Sequence, residues 1–409
     1  MINMSEIKYY AVAVGDNGKH TDITDYVNSL AWSESKGELS MKSQFTARND
    51  KTESGYLSEI IKPGSLFLII VTTGKETKEV ARGRVEVWNP VTENETVELT
   101  CTCYDDLYPF QKSQDNYIVK NNTRAYKALS KFFQTWKIPR GFYDGPSIKL
   151  KKMVFQQKYL GDIITQILNQ AYELGDEKYF MRAADGVIDI LPYFDNIDIY
   201  FFNNDNATKI DEKQSTENLV TRVKIMDKAN KKMKANVDGL TEFGIRQIIS
   251  PMQEGQSLKT AKKLAERVIA ERGVIERSIK LSCNDLPFLR KGDVVYVDIG
   301  TSVGYFDVTG VTHQADSYTM TMNLEYSDKN ASEDGKIVRK KKYVKGDIVN
   351  FVGGEYHLSA KKNSKFFTAV AGKAKISRIA NKKYPYRYRL VHTNVASTIN
   401  GYVTEEQFY

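Results

Sequence analysis

Two stretches decide the fold. The first reads PGSLFLIIV (63–71), EVARGRVEVWNP (79–90) and ETVELTCTCYD (95–105). The second reads KGDVVYVDI (291–299), YFDVTGVTHQA (305–315) and YTMTMNLEY (318–326). In each, a turn glycine (Gly64, Gly292) opens an apolar strand, a strand interrupted by glycine (Gly83, Gly310) follows, and a third strand alternates apolar and polar residues. An internal repeat of this kind, about 228 residues apart, predicts two related β units in one chain. The interrupting glycines are expected at bends or bulges. The alternative is that any two β-meanders share this outline.

The surroundings agree with β structure. Val97, Leu99, Cys101 and Cys103 fall on one face of a strand, with Glu98, Thr100, Thr102 and Tyr104 on the other. GSLFLIIV (64–71) is apolar on both faces and predicts a strand covered on two sides. Turn signals at Gly15–Gly18, Pro63-Gly64, Thr73-Gly74 and Asn89-Pro90 space short strands over residues 5–110. This is the pattern of an antiparallel barrel or sandwich.

Residues 111–218 break the pattern and predict an α+β insertion. Thr123 is placed to cap a helix reaching about Trp136. Leu160, Ile163, Ile164, Ile167, Leu168, Ala171 and Leu174 form the stripe of a second helix over about 160–174, closed by Gly175. Asp185-Gly186 between two apolar runs predicts a two-residue hairpin turn. From 219 to 326 a second barrel is expected, holding a helix capped by Ser257 and closed by Gly273. A polar tether follows at 327–342. Residues 343–409 suffice for one small β module. The fold class is therefore mainly β with an α+β insertion: a first barrel over 1–110, the insertion over 111–218, a second barrel over 219–326, and a C-terminal barrel.

Composition excludes more than it selects. The 409 residues are 41% hydrophobic and 27% charged, which describes a globular chain. No apolar run is long enough for a membrane helix, and the first residues lack the pattern of a secretory signal; three cysteines cannot form a full disulfide framework, so synthesis in a reducing compartment is expected. Three cysteines and four histidines leave little for metal or triad chemistry. Cys101 and Cys103 have no further ligands at zinc spacing, so they are read as core residues. Gly300–Gly304 spells G-x-S-x-G, yet it joins two expected strands rather than a strand and a helix, so Ser302 is read as a loop residue. No phosphate-binding loop or dinucleotide fingerprint is present. No enzyme activity and no cofactor are expected.

The net charge of +8 is uneven. Sixteen Lys/Arg face six Asp/Glu from residue 331 onward, which leaves the first 330 residues at −2. The C-terminal module also carries aromatic residues among its cations. Phe366, Tyr386, Arg387, Tyr388, Arg389 and Tyr402 are the candidate interaction residues, suited to stacking on sugars or bases and to neutralising nucleic acid, an anionic cell wall or an acidic partner surface. The other reading is that these aromatics fill the module's own core.

Several segments carry a resemblance: DITDYVNSLAWSESKGELSMKSQFTA (22–47), LGDIITQILNQAYELG (160–175), KYFMRAADGVIDILPY (178–193), LPFLRKGDVVYVDI (286–299) and GYFDVTGVTHQ (304–314). Over residues 1–330 the chain resembles the baseplate hub proteins of contractile phage tails, of the type encoded by PBSX-like prophages and by contractile bacteriocins. The resemblance implies a homotrimer with two tube-type barrels per chain, joining a sixfold tail tube to a threefold spike within a virion or phage-like particle. Its partners would be the tube protein, the spike and other baseplate proteins. VKGDIVNFVGGEYHLSA (344–360) and LVHTNVASTINGYVTEEQF (390–408) resemble a bacterial SH3-like module, which implies a wall peptide or protein partner. The alternative function is a wall-binding or wall-degrading accessory protein. Nothing in the chain resembles a muramidase or a cysteine peptidase.

Overall fold

The computed structural model is mainly β, built of antiparallel sheets, with three longer helices. The structure describes residues 6–409 except 16–17, 54, 75, 94–95, 144–145, 194–195, 197–198, 228–231, 253–255, 327–347, 360, 362–363, 380–384, 393–398, 405–406 and 409. The expected tether at 327–342 lies outside the described residues. The chain divides into two compact units, Met1–Lys336 and Ile337–Tyr409.

The first unit is organised by a 13-stranded sheet. Twelve of its strands form two sextets. The first comprises β1 (Lys8–Val14), β2 (Val27–Glu34), β3 (Lys42–Arg48), β4 (Leu66–Thr72), β5 (Thr77–Glu93) and β6 (Thr96–Tyr104). The second comprises β7 (Phe201–Asn203), β8 (Ala207–Ser215), β9 (Glu276–Asn284), β10 (Val294–Asp298), β11 (Val303–Gln314) and β12 (Thr319–Tyr326). Within the first, the pairing order is β1-β4-β5-β6-β3-β2; within the second it is β7-β10-β11-β12-β9-β8. Connectivity and order are the same. One difference is that β1 runs antiparallel to β4, whereas β7 runs parallel to β10.

The match extends to single hydrogen bonds. Gly64 N donates to Val85 O at 2.8 Å and Val85 N to Ser65 O at 3.0 Å; Gly292 N donates to Val308 O at 2.9 Å and Val308 N to Asp293 O at 2.8 Å. Gly64 (φ +89°) and Gly292 (φ +93°) share the left-handed backbone that favours glycine. Immediately after these contacts both middle strands bulge, between Val85 and Val87 opposite Cys103 and Thr102, and between Val308 and Gly310 opposite Leu324 and Asn323. A second bulge also recurs, at Val27/Ser29 in β2 and Ala207/Lys209 in β8. The interrupting glycines, by contrast, are not equivalent. Val85 corresponds to Val308, so Gly83 precedes its bulge while Gly310 lies on it. Gly83 is instead fixed by closeness: a Cβ there would sit 2.9 Å from Tyr104 O.

Equivalent positions fill equivalent cores. Phe45, Leu99, Cys101 and Cys103 in the first sextet correspond through the ladders to Leu281, Met320, Met322 and Leu324, all fully buried. The two sextets join edge to edge where β11 pairs β2 antiparallel, Val311 opposite Glu34 and His313 opposite Trp32.

Between the sextets lies a block with its own core, made by α1 (Ala125–Thr135), α2 (Leu160–Glu173) and the hairpin Tyr179–Ala184/Val187–Pro192. Asp185 (φ +51°) and Gly186 (φ +78°) form the two-residue turn of that hairpin. Gly175 is left-handed (φ +107°) just past α2, as expected. The α1 cap differs from the expectation. Arg124, not Thr123, occupies the N-cap, because residues 123–124 are held against 149–150 and the first helical amides donate to Ile148 O and Pro146 O. The strands β7 and β8, expected inside the inserted block, pair with β10 and β9. Conversely, residues 222–272 leave the large sheet. Arg222–Met226, Met233–Asp238 and Gln247–Pro251 form a small separate sheet covered by α3 (Leu258–Arg272), whose cap Ser257 accepts from Thr260 N as its side chain predicts.

The second unit is a six-stranded antiparallel sheet in the order 348–351, 372–379, 388–392, 400–403, 354–357, 366–369. Its core contains Val349, Phe351, Ile376, Tyr388, Leu390 and Val403.

Candidate functional site

The chemistry-bearing residues of the first unit gather where the sextets and the inserted block meet. Glu34, at the end of β2, is buried and receives Arg290 bidentately, Nε to Oε2 at 3.0 Å and Nη2 to Oε1 at 2.9 Å, with Lys291 N at 3.2 Å. Arg290 also donates to Ala183 O at 2.9 Å, in the hairpin of the inserted block. Asp293 accepts from Arg290 N and from Arg182 Nη2, each at 2.9 Å. Lys291 Nζ donates to Glu38 O at 2.6 Å. One buried cluster thus ties β2, the loop before β10, and the inserted hairpin. Burial alone raises the Glu34 carboxyl. The Arg290 guanidinium, with lesser help from Arg182 and Lys291, overrides it and brings the carboxyl down to about 2.

Beside it lies a second buried group. His313 stacks on Trp32 at a centroid separation of 4.6 Å. Its Nδ1 faces Asp285 Oδ1 at 2.6 Å and its Nε2 faces Leu289 O at 3.0 Å. Tyr9 Oη donates to Asp285 Oδ2 at 2.5 Å, and burial followed by the Asp285 charge raises its pKa. A third member, Asp105, accepts from Ser40 Oγ at 2.7 Å and from the amides of Met41 and Leu107 at 3.0 Å each. Burial lifts its carboxyl to about 6 against those hydrogen bonds. These groups are buried and fasten elements together, each bonded to another protein group.

The reactive-looking motifs resolve the same way. Ser302 lies in the loop between β10 and β11, where its hydroxyl donates to Glu212 beside Thr301, which donates at 2.6 Å. No helix follows it, so the geometry of a nucleophile elbow is absent at this loop. Cys101, Cys103 and Cys283 are buried free thiols, and burial pushes Cys101 and Cys283 up to about 12. Among the described residues no group of His, Cys, Asp and Glu is arranged to hold a metal ion. A groove of about 580 Å³ runs between α2 and the second sextet, lined by Leu39, Phe110, Tyr159, Tyr179 and Phe180 among others. Its described lining has no Ser, Cys or His, and Lys36 on its rim pairs with Glu325. No described helix is long and apolar enough to cross a membrane.

In the second unit the six candidate residues separate. Tyr388 (4% exposed) and Tyr402 (9%) are buried, which corrects their reading as open contact residues: Tyr388 turns into the core with Leu390 and Val403, while Tyr402 is covered on the other face, where it pairs with Arg389 and His357. Phe366 is exposed on the edge strand 366–369, with Phe367 next to it. Tyr386 stacks on His357 at 3.4 Å between centroids, and Phe366 approaches the same imidazole at 6.0 Å. The Arg387 guanidinium lies 5.2 Å from the Tyr388 ring centroid, and Arg389 Nη2 donates to Asn400 Oδ1 at 2.9 Å. His357, absent from the sequence set, is the residue that brings Phe366 and Tyr386 together.

The fold is one shared with solved tail proteins. The structure is similar to a tail protein from Neisseria meningitidis MC58, with a TM-score of 0.58 and 13% identity over 78% of this chain and 97% of that one. It is similar to the 43 kDa tail protein of prophage MuSo2 from Shewanella oneidensis, with a TM-score of 0.57 and 13% identity over 78% of this chain and 98% of that one. It is also similar to prophage tail protein gp18 from Listeria monocytogenes EGD-e, with a TM-score of 0.52 and 13% identity over 78% and 95%. No curated protein matches the chain. The YQBQ-like family model matches residues 30–327, well over half of the chain, and the protein belongs to that family.

Proposed function

We propose that this protein is a structural baseplate hub of a phage or phage-like contractile tail. Three copies close into a ring of six similar sheet units, which mates with the sixfold tail tube on one side and the threefold spike on the other. The observation that carries this is the duplicated sextet, alike in strand order, turn hydrogen bonds and bulge positions. A repeated unit allows a threefold assembly to present quasi-sixfold contacts. The fold shared with tail proteins and the buried polar clusters, whose charged groups are paired with one another, support a mechanical role over a catalytic one. The barrels would close fully only in the ring, covering sheet edges that otherwise aggregate.

The 343–409 unit acts, in this reading, as an SH3-like appendage. Phe366, Tyr386, Arg387 and Arg389 form its contact surface for a wall component or an anionic baseplate partner. Native mass spectrometry of the purified chain, alone and with its tube protein, tests the hub. A species of three copies is expected, and a stable even-numbered assembly would contradict it. Pelleting with peptidoglycan tests the appendage. Retention lost in a Phe366→Ala/Arg387→Ala variant is expected, and release of soluble wall fragments would favour the enzymatic alternative.

A further inference from the structure

The two sextets differ in how many neighbours their matching strands have. β11 has three partners: β10 along its first half, β12 along the other edge, and β2 along residues 311–314. Its counterpart β5 has two, β4 as far as Arg84 and β6. Likewise β2 pairs on both edges, with β3 and β11, whereas β8 ends the sheet and pairs with β9 alone. Among the described residues each chain therefore carries one unpaired edge of each kind. The segment of β5 matching 311–314 is Trp88–Val91, and the segment of β8 matching Ala31–Glu34 is Asp211–Gln214, as the shared bulges fix the alignment.

We infer that the Trp88–Val91 edge pairs antiparallel with the Asp211–Gln214 edge of a second copy of this chain, in the register of the internal joint. Trp88 faces Gln214, Asn89 faces Lys213, Pro90 faces Glu212, and Val91 faces Asp211. Continuing the same register brings Glu93 opposite Lys209, a favourable charge pair. The occupant is a second copy because the internal joint is itself the seated example: one surface of each type already mates within the chain. Such a contact is head-to-tail and closes only if its rotation permits.

Three observations fit. Val87 and Val91 are 53% and 45% exposed, within a stretch from Glu86 to Glu93 in which no residue is buried. Ala315 N donates to Leu30 O at 2.9 Å, so by alternation the amides of His313 and Val311 also face β2. Pro90 matches His313, so its missing N–H falls on the open edge, where proline costs no bond in the free chain. The charges of Asp211, Glu212 and Lys213 line the other vacant edge and discourage indiscriminate pairing. Because Pro90 donates nothing, the joint between copies is weaker than the internal one, and it forms as concentration rises.

The joint rests on the hub reading only for the number of copies in the closed ring. Asn89→Cys and Lys213→Cys place thiols at a non-hydrogen-bonded pair, where antiparallel Cβ atoms come closest. Thr312→Cys/Ser33→Cys is the matching pair at the internal joint and reports that this geometry oxidises. The three native thiols are buried and silent. The two single variants are mixed and oxidised, with each alone and an off-register Glu86→Cys/Lys213→Cys mixture as controls. The mixed pair is expected to give at least about tenfold more disulfide-linked dimer than any control. No such excess at the highest soluble concentration, or a disulfide within one chain of the double variant, overturns the joint. Oxidised double variant that stops at three copies supports both readings. An open-ended ladder supports the joint and contradicts the hub. Three copies in native mass spectra without the disulfide contradict the joint and keep the hub.

Discussion

Trp32 and His313 stand opposite one another across the seam between the two sextets, their rings stacked with an interplanar angle of 9°. The seam is thus a cross-strand aromatic pair whose imidazole is held by Asp285 and by Leu289 O. Aromatic pairs opposite one another are the unit of stabilisation between strands, and this one is fully buried. Trp32→Ala is expected to cost about 3–5 kcal/mol, because it removes a large buried ring without a way for the β ladder to collapse. Chemical denaturation checks it; a loss below about 1 kcal/mol would show that the seam does not hold the sextets.

Glu34 and Arg290 should be coupled more strongly than surface ions. Glu34→Gln leaves a buried guanidinium half-partnered and is expected to destabilise by about 3–5 kcal/mol, and Arg290→Met by a comparable amount. The double variant should recover part of the loss, which a double-mutant cycle reads directly.

The same pair predicts an acid limb. The Glu34 carboxyl sits near 2 in the fold against an ordinary 4.5. A depressed carboxyl gives stability that is complete above its unfolded value and is lost as pH falls from 4.5 through about 2. Urea midpoints should therefore drop over that window in the native chain, and the drop should be shallower in Glu34→Gln.

Asp105 runs the other way. Its carboxyl is raised from 3.8 to about 6, so the folded chain binds the proton more tightly than the unfolded one. Stability is then greatest below 3.8 from this group and declines as pH rises through about 6. Asp105→Asn removes that decline. The difference in unfolding free energy between the two proteins should change steadily between those pH values, and a flat difference would contradict the assignment.

The thiols give a reactivity test. With Cys101 and Cys283 pushed to about 12 and Cys103 also well above its ordinary value, native protein at pH 8 should resist thiol reagents until it is unfolded. Prompt labelling of the folded chain would mean that the sextet carrying the labelled thiol opens locally, the first for Cys101 or Cys103 and the second for Cys283.

What could be read from residue order follows from what is local. Alternation from Val97 to Tyr104 and from Thr319 to Tyr326 names strands, and Asp185-Gly186 names a turn, because neighbours in sequence decide them. The bulges after Val85 and Val308 are properties of two strands together, so the glycines were matched in their place and Gly83 was paired with the wrong partner. β8 reads as a polar strand with an open edge, ATKIDEKQS, and only its ladder to β9 assigns it to the second sextet. The Glu34–Arg290 cluster joins residues far apart in the chain, each an ordinary charged residue in its own surroundings. In the C-terminal unit, composition identified aromatics and cations, while burial and pairing decided that Tyr388 belongs to the core, that Tyr402 is covered on the other face, and that His357 brings Phe366 and Tyr386 together.

The central claim is that a duplicated sextet lets three chains act as six. An electron cryomicroscopy reconstruction of the assembled protein tests it most directly. The account predicts a ring of six sheet units in which seams within chains alternate with seams between chains, and in which the two kinds of unit superpose strand for strand. A reconstruction in which the second sextet lies outside the ring, or in which the copies meet through other faces, would contradict it.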